Sequence, residues 1–169
     1  MSIPEGTHTI GPSNGSLQVK TGREGAAAKA GHDLTLGVNS WEATIEGGDS
    51  PSIQLTADPN SFEVIEGHGG AKPLGDKDKA DIKKSIGGKV LGSDQITFTS
   101  SEVTDSEAKG DLSIAGKGQV VSVPISVSAD KISGSFTFSQ ADYGIKQFKA
   151  LMGALKVKDQ VTVEFEGNL

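Results

Sequence analysis

The chain has 169 residues, 16 Lys and Arg against 22 Asp and Glu, and no cysteine. Its length predicts a single domain over residues 1–169, and the missing cysteines exclude disulfides, thiol nucleophiles, thiolate zinc sites and iron–sulfur clusters. The net charge of −6 argues against nucleic acid as a partner, because phosphate binding needs clustered Lys and Arg. The longest apolar stretch, residues 150–155, is too short to cross a bilayer. The first residues lack the features of a signal peptide, so we place the chain in the cytoplasm by default.

The first predicted element is a hairpin. Asn14-Gly15 lies between residues 7–12 and 17–20, and this dipeptide favours a two-residue turn between paired strands. Next, Leu34, Leu36 and Val38 alternate with polar residues or glycine, which puts them on one face of a strand. The alternation changes phase after Asn39-Ser40, as a tight turn between two neighbouring strands would produce.

Period-two alternation continues through most of the chain and favours antiparallel sheet with one buried face. The further apolar sets are Ile53/Leu55/Ala57, Phe62/Val64, Ile96/Phe98, Leu112/Ile114, Val121/Val123/Ile125/Val127, Ile132/Phe136/Phe138 and Val161/Val163/Phe165. We predict an all-β fold of nine or ten short strands. An antiparallel barrel is the economical arrangement because closure removes exposed edges, and a two-sheet sandwich is the rival.

Two segments have a helical period instead. Ile82, Ile86 and Val90 recur every fourth residue, which predicts an amphipathic helix over residues 76–91 that frays at Gly87-Gly88. A second helix is expected from Ser139, with an apolar stripe of Ile145, Phe148, Leu151 and Met152. We interpret both as lids on the sheet.

Turn and breaker residues punctuate the later strands. Gly116-Lys117-Gly118 predicts a hairpin between residues 112–114 and 121–127. Pro124 has no N–H for a ladder, so its stretch is expected at a sheet edge or a bulge.

Three histidines limit the acid–base chemistry available. His8 alternates within the first strand as a surface or edge residue, and His68 lies in a glycine-rich loop. The loop of residues 22–31 could present Arg23, Lys29 and His32 to an anionic headgroup. In the alternative, which we favour, the alanines form a helical turn, both cations are solvated and His32 hydrogen-bonds the loop.

No arrangement of residues points to catalysis or to a cofactor. A Gly-x-Ser-x-Gly elbow, a His-Glu-x-x-His helix and a phosphate loop are all missing from the sequence. Aromatic side chains fall on faces that read as inward, where each packs a core or contacts a slender ligand. The candidate ligand contacts are His32, Leu36, Trp41, Phe62, Phe98, Phe136, Phe138, Tyr143 and Phe148.

Five segments in order resemble the YceI-like family, also called polyisoprenoid-binding lipocalin-like proteins. They are Lys29–Leu34 with Trp41–Ile45 (KAGHDL, WEATI), residues 81–86 with 95–100 (DIKKSI, QITFTS), residues 110–116 (GDLSIAG), residues 121–125 (VSVPI), and residues 138–145 with 157–163 (FSQADYGI, VKDQVTV).

The resemblance implies an antiparallel lipocalin-like barrel around an apolar tunnel that holds an isoprenoid, an isoprenoid quinone or a fatty acid. It brings no catalytic residue, metal or cofactor with it. His32 matches a histidine that precedes this strand in the family, and Tyr143 matches the aromatic before Gly-Ile.

Three functions therefore remain open at the level of the sequence. The leading hypothesis is a non-enzymatic carrier or store for a hydrophobic small molecule. The second is a filled, stress-related interaction domain whose protein partner binds at a sheet edge near Pro124. The third is an enzyme of lipid or quinone metabolism with His32 as base. A homodimer through an edge strand also stays open.

Overall fold

The structure is a computed structural model that describes residues 2–70 and 72–169. The strands in these residues are β1 (Gly6–Ile10), β2 (Gly15–Thr21), β3 (Arg23–Glu24), β4 (Asp33–Val38), β5 (Trp41–Gly47), β6 (Ser52–Ala57), β7 (Phe62–His68), β8 (Ile96–Val103), β9 (Glu107–Ile114), β10 (Lys117–Ser128), β11 (Lys131–Ser139), β12 (Lys149–Ala150), β13 (Leu155–Val157) and β14 (Gln160–Asn168). The helical elements are α1 (Asp76–Ser85), a π-helical turn (Ile86–Leu91) and three 3-10 turns (Ala28–Ala30, Gln140–Tyr143 and Leu151–Gly153).

Eleven strands form one antiparallel sheet in the order β1-β5-β6-β8-β9-β10-β11-β14-β2-β4-β7. The sheet curls into a half-barrel around its apolar face, where Ile10, Ile45 and Ile132 are fully buried. The predicted all-β, lipocalin-like fold is confirmed. Pairing of β10 with β11 makes the sheet continuous, which decides against two separate sheets. Within the described residues no ladder joins the outer strands β1 and β7.

Pro124 lies where β10 changes its partner. Residues 117–124 pair with β9, and residues 125–128 pair with β11. The Ile125 N–H donates to Ser106 O on the β9 side, so strand alternation turns the Pro124 nitrogen toward β11. Proline has no N–H to donate there, and the ladder ends at Ile125 and Gly134. Among the described strands, residues 117–124 therefore pair on one side only, in line with the expected edge position.

The predicted hairpin at Asn14-Gly15 is wrong. A turn does form, because the Asn14 N–H donates to Gly11 O at 3.2 Å and Asn14 Oδ1 accepts from the Gly11 N–H at 2.8 Å. However, β1 pairs with β5, whereas β2 pairs with β14 and β4. Gly15 serves close packing, since a Cβ there would lie 2.6 Å from Glu166 O of β14.

The predicted tight turn between neighbouring strands at Asn39-Ser40 is also wrong in its pairing. β4 pairs with β2 and β7, and β5 pairs with β1 and β6. The chain crosses here from one part of the curled sheet to another. The Asn39 N–H donates to Ser61 O at 2.9 Å and the Asp58 N–H donates to Ser40 O at 3.0 Å, which ties this crossing to the β6–β7 connection.

The hairpin predicted near Gly116 is confirmed, one residue earlier than the glycines suggested. Ile114 pairs with Lys117, so Ala115 and Gly116 form the two-residue loop between β9 and β10. Both have positive φ, 53° and 79°, as a type I′ turn requires.

The first predicted helix is confirmed over its whole length. Asp78 caps its start by accepting a hydrogen bond from the Gly75 N–H at 3.1 Å. The expected fraying at Gly87-Gly88 is wrong, because α1 continues as a π-helical turn to Leu91.

The second predicted helix, from Ser139 to Met152, is wrong. The 3-10 turn Gln140–Tyr143 ends at Gly144, whose φ of 70° is left-handed. Asp159 provides the capping that the sequence suggested for Asp142, since its carboxylate accepts hydrogen bonds from the Ser139 hydroxyl and from the Ala141 N–H. The chain then forms β12, a short turn and β13, which pair with β3 in a three-stranded sheet. The side chain of Leu151 lies outside the described residues.

Three long connections start from the same end of the half-barrel, which we call the mouth. The register places the mouth ends of β11, β14, β2, β4 and β7 side by side. From this end leave residues 22–32 between β2 and β4, residues 69–95 between β7 and β8, and residues 140–159 between β11 and β14. The second connection contains α1, and the first and third contain the three-stranded sheet.

Candidate functional site

A cavity of about 420 Å³ lies inside the half-barrel. Alternate residues of β2, β4 to β11 and β14 face it, as period-two alternation dictates. One face of α1 and of the π-helical turn lies across it and contributes Ile82, Ile86 and Val90. The helix that the sequence predicted as a lid therefore covers an apolar interior of the size typical for small-molecule sites.

Few polar side chains line this cavity. Among the described lining residues they are Thr21, Asp81, Ser85 and Gln140. Thr21 ends β2 and Gln140 follows β11, so these two lie at the mouth, whereas Asp81 and Ser85 belong to α1. The other lining residues are aliphatic or aromatic apart from Gly134, so the cavity has an almost entirely apolar wall with two polar side chains at the mouth.

Six of the nine residues predicted as ligand contacts line this cavity. They are Leu36, Phe62, Phe98, Phe136, Phe138 and Phe148. Strand alternation explains the first five, and Phe148 reaches the cavity from the connection between β11 and β14. Phe136 and Phe138 form a tilted ring pair at 5.7 Å.

Trp41 and Tyr143 do not line the cavity but pack against side chains that do. Trp41 is buried, and its ring meets Phe165 edge to face with centroids 6.5 Å apart. Tyr143 is buried and meets Phe138 in the same manner at 5.3 Å. Both contact partners line the cavity, so these two rings support its wall by packing against it.

The Tyr143 hydroxyl is buried and has no hydrogen-bond partner among the described residues. Burial, and to a smaller extent the charge of Asp142, raises the pKa of Tyr143 above its ordinary value. A phenolate is therefore disfavoured at this position.

His32 binds the connection that leads to α1 and does not line the cavity. Its Nε2 lies 2.6 Å from Lys72 O. His32 thus hydrogen-bonds a loop, as we favoured, although this is the loop before α1 and not the loop of residues 22–31. His68 is not in a loop as expected but ends β7, with Nε2 3.1 Å from Glu66 and 3.3 Å from the Thr35 hydroxyl.

The two cations proposed for a headgroup occupy the rim of the mouth. The Arg23 guanidinium donates to Gly31 O, and its Nε lies 3.6 Å from Asp33 Oδ1. Lys29 lies exposed in the 3-10 turn Ala28–Ala30, the helical turn expected from the alanines. Neither side chain faces the cavity.

The polar side chains that line the cavity were not predicted from the sequence. The signal for Asp81 and Ser85 was present, because both flank the apolar stripe that starts at Ile82. Gln140 was not predicted because it fell within the second helix, which was predicted wrongly. Its Nε2 donates a hydrogen bond to Lys158 O at 3.1 Å.

Within residues 2–70 and 72–169 no group of three His, Cys, Asp or Glu side chains could hold a metal ion. None of the helices described in these residues has the length and apolar character needed to cross a membrane.

Known structures with the same fold support this description. The chain superposes on BcnA of Burkholderia cenocepacia with a TM-score of 0.65 and 18% identity, covering 90% of this chain and 94% of that one. A mutant Campylobacter jejuni YCEI protein gives a TM-score of 0.50 and 12% identity, with 80% and 85% covered. No curated protein matches the chain. The family model for the YceI-like domain matches residues 9–169, and the chain therefore belongs to the YceI-like family.

Proposed function

We propose that this protein is a non-enzymatic carrier or store for a long amphiphile of the isoprenoid, isoprenoid quinone or fatty acid type. The observation that carries the proposal is the apolar cavity, whose polar lining within the described residues is limited to four side chains, two of them at the mouth. In this arrangement the hydrocarbon chain lies inside the half-barrel, and its polar end lies at the mouth. The family is known for polyisoprenoid-binding proteins, which supports the same ligand class.

The apolar wall favours a hydrocarbon occupant. Burial of a hydrocarbon chain in this cavity of about 420 Å³ contributes about 0.8 kcal/mol for each methylene that is removed from water.

We propose separate contacts for the two parts of the ligand. Its hydrocarbon chain packs against Leu36, Phe62 and Phe98, and against the Phe136–Phe138 pair of β11. Gln140, at the mouth, offers a hydrogen bond to the polar end. We assign Trp41 and Tyr143 to the support of this wall and His32 to the support of the mouth.

Organic extraction of the freshly purified protein, followed by mass spectrometry of the extract and of the intact protein under non-denaturing conditions, tests the proposal. We expect a stoichiometric amphiphile that is lost on unfolding. An apo mass that persists after incubation with isoprenoids, quinones and fatty acids would refute the carrier and favour a protein-binding domain. The intact mass also shows whether the chain forms a homodimer.

A further inference from the structure

The connections that leave from the mouth carry the opposite charge to the rest of the chain. The three mouth connections, residues 22–32, 69–95 and 140–159, contain twelve of the 16 Lys and Arg but only seven of the 22 Asp and Glu. Their balance is +5, against −11 for all other residues, within a net charge of −6. The cations are thus concentrated in these connections, one of which contains β12 and β13.

One of these connections also exposes large apolar side chains. Met152 is 107% exposed and Phe148 is 36% exposed, and they are two of the four large exposed hydrophobic residues in the described chain. Phe148 lines the cavity as well, so it links this surface with the interior. Met152 has a φ of 57°, a conformation that a non-glycine residue adopts rarely, and it presents its side chain at the tip of the turn between β12 and β13.

Four lysines belong to the same connection as these two side chains. They are Lys146, Lys149, Lys156 and Lys158, and none of them has a carboxylate within 4.0 Å among the described residues. Lys149 and Lys156 are directly opposite each other in the β12–β13 ladder, where like charges repel. Glu24 is opposite Lys156 in the β3–β13 ladder, and its carboxylate accepts a hydrogen bond from Gln147 at 2.6 Å.

We propose that this mouth patch, made of Phe148, Met152 and the four lysines, docks on an anionic lipid surface. Lysines attract anionic headgroups, and exposed apolar side chains enter the boundary between headgroups and acyl chains. Docking in this way places the opening of the cavity against the bilayer. The proposal goes beyond the carrier function, because it follows from the charge and exposure of the patch and needs no bound ligand.

Charge complementarity alone would also fit an acidic protein or the acidic end of a second copy. An apolar side chain fully exposed at the tip of a narrow turn suits insertion between lipid headgroups, while the lysines of the patch stay at the level of the headgroups. A second copy docked head to tail would form a ring or an open filament, whereas two-fold symmetric dimers are the commonest oligomers. The lipid surface is the occupant that uses both features of the patch.

Flotation of the full chain with vesicles tests this docking. We expect binding to mixed phosphatidylcholine–phosphatidylserine vesicles, little binding to pure phosphatidylcholine, and loss of binding in 1 M salt, where the Debye length is about 3 Å. A lysine near an anionic surface contributes roughly fivefold in affinity. The triple variant Lys146→Gln, Lys149→Gln, Lys158→Gln should therefore bind on the order of 100-fold more weakly.

A matched triple variant controls for net charge. Lys20→Gln, Lys109→Gln and Lys131→Gln remove three lysines outside the mouth connections, and we expect vesicle binding within threefold of the wild type. Met152→Gln removes the exposed apolar tip at a position where folding is unaffected, and it should weaken binding several-fold. Circular dichroism verifies the fold of each variant.

Two outcomes overturn the docking proposal. One is equal loss of binding in both triple variants, which would reduce the effect to net charge. The other is a wild-type protein that does not float with anionic vesicles, whether or not it captures an acidic protein or a second copy. Neither outcome touches the carrier function, which is tested separately by filling the cavity. Ala43→Phe fills it and should leave vesicle binding unchanged.

Discussion

Replacing Ala43 by phenylalanine should abolish ligand uptake without unfolding the protein. Ala43 is fully buried in β5, between Ile10 and Leu55 of the neighbouring strands, and its side chain lines the cavity. Because this side chain lines the cavity, we expect the added ring to fill part of it at no more than the usual overpacking cost of about 1–3 kcal/mol. The variant therefore tests whether the cavity is the binding site.

The expected loss of affinity follows from the volume that the ring occupies. If it displaces about four methylene groups of a bound chain, at about 0.8 kcal/mol each, binding weakens by about 3 kcal/mol. That corresponds to a rise in Kd of roughly 200-fold. The unfolding midpoint in urea should stay close to that of the wild type, because the ring fills apolar space.

The single tryptophan provides the assay. The Trp41 ring contacts Phe165, which lines the cavity, so titration with geranylgeraniol, a long-chain quinone or oleate should change its fluorescence. The matched control is Thr44→Phe, which places the same ring on the neighbouring residue of β5, outside the set that lines the cavity. We expect Thr44→Phe to bind within twofold of the wild type.

The reasoning is refuted if Ala43→Phe folds normally and binds all three ligands with wild-type Kd. Equal weakening by Thr44→Phe would also refute it, because the effect would then not arise from the cavity.

Three other substitutions test the packing around the cavity. Tyr143→Phe should leave stability at neutral pH unchanged or raise it by about 1 kcal/mol, since it removes a buried hydroxyl without a partner in the described residues. Because the folded pKa is raised, the unfolded chain ionises first above pH ~10, and wild-type stability should fall as pH rises through the folded pKa. The urea unfolding midpoints of the wild type and of Tyr143→Phe, measured between pH 9 and 11, test this. If the midpoint falls equally with pH in both proteins, the loss of stability does not come from Tyr143. Gly110→Ala should destabilise the protein by more than about 2 kcal/mol, since its Cβ would collide with the Thr99 carbonyl across the β8–β9 ladder. Thermal melts measure this loss, and Gly118→Ala is the control because nothing lies within 4 Å of a Cβ built there. A similar loss of Tm in both variants would contradict the collision. His32→Ala should cost about 1 kcal/mol through its lost hydrogen bond and leave the ligand Kd within twofold. A large rise in Kd would instead place His32 at the ligand.

Most strands and the first helix can be predicted from the periodicity of apolar residues. Alternation at Leu34, Leu36, Ile53 and Leu55 indicates which side chains face inward, because strand geometry has a strict period of two. The same rule placed five of the six predicted residues that line the cavity. The first helix was equally readable, since Ile82, Ile86 and Val90 form one apolar stripe.

Which strands pair with each other could not be predicted from the sequence and is known from the tertiary structure. Asn14-Gly15 and Asn39-Ser40 look like hairpin turns, but a turn signal is local and does not encode the partner of the strand that follows. The second predicted helix failed for a related reason. Its period was compatible with helix, but Gly144 ends the first turn and the carboxylate of Asp159, distant in sequence, supplies the cap.

The site as a whole also depends on tertiary structure. Thr21, the α1 residues Asp81 and Ser85, and Gln140 come from three segments far apart in the sequence, and they line one cavity only because the fold brings these segments together. Strand register also makes the three connections that carry most lysines of this acidic chain leave from one end of the sheet. Periodicity fixes the direction in which each side chain points, whereas pairing between distant strands fixes which side chains meet.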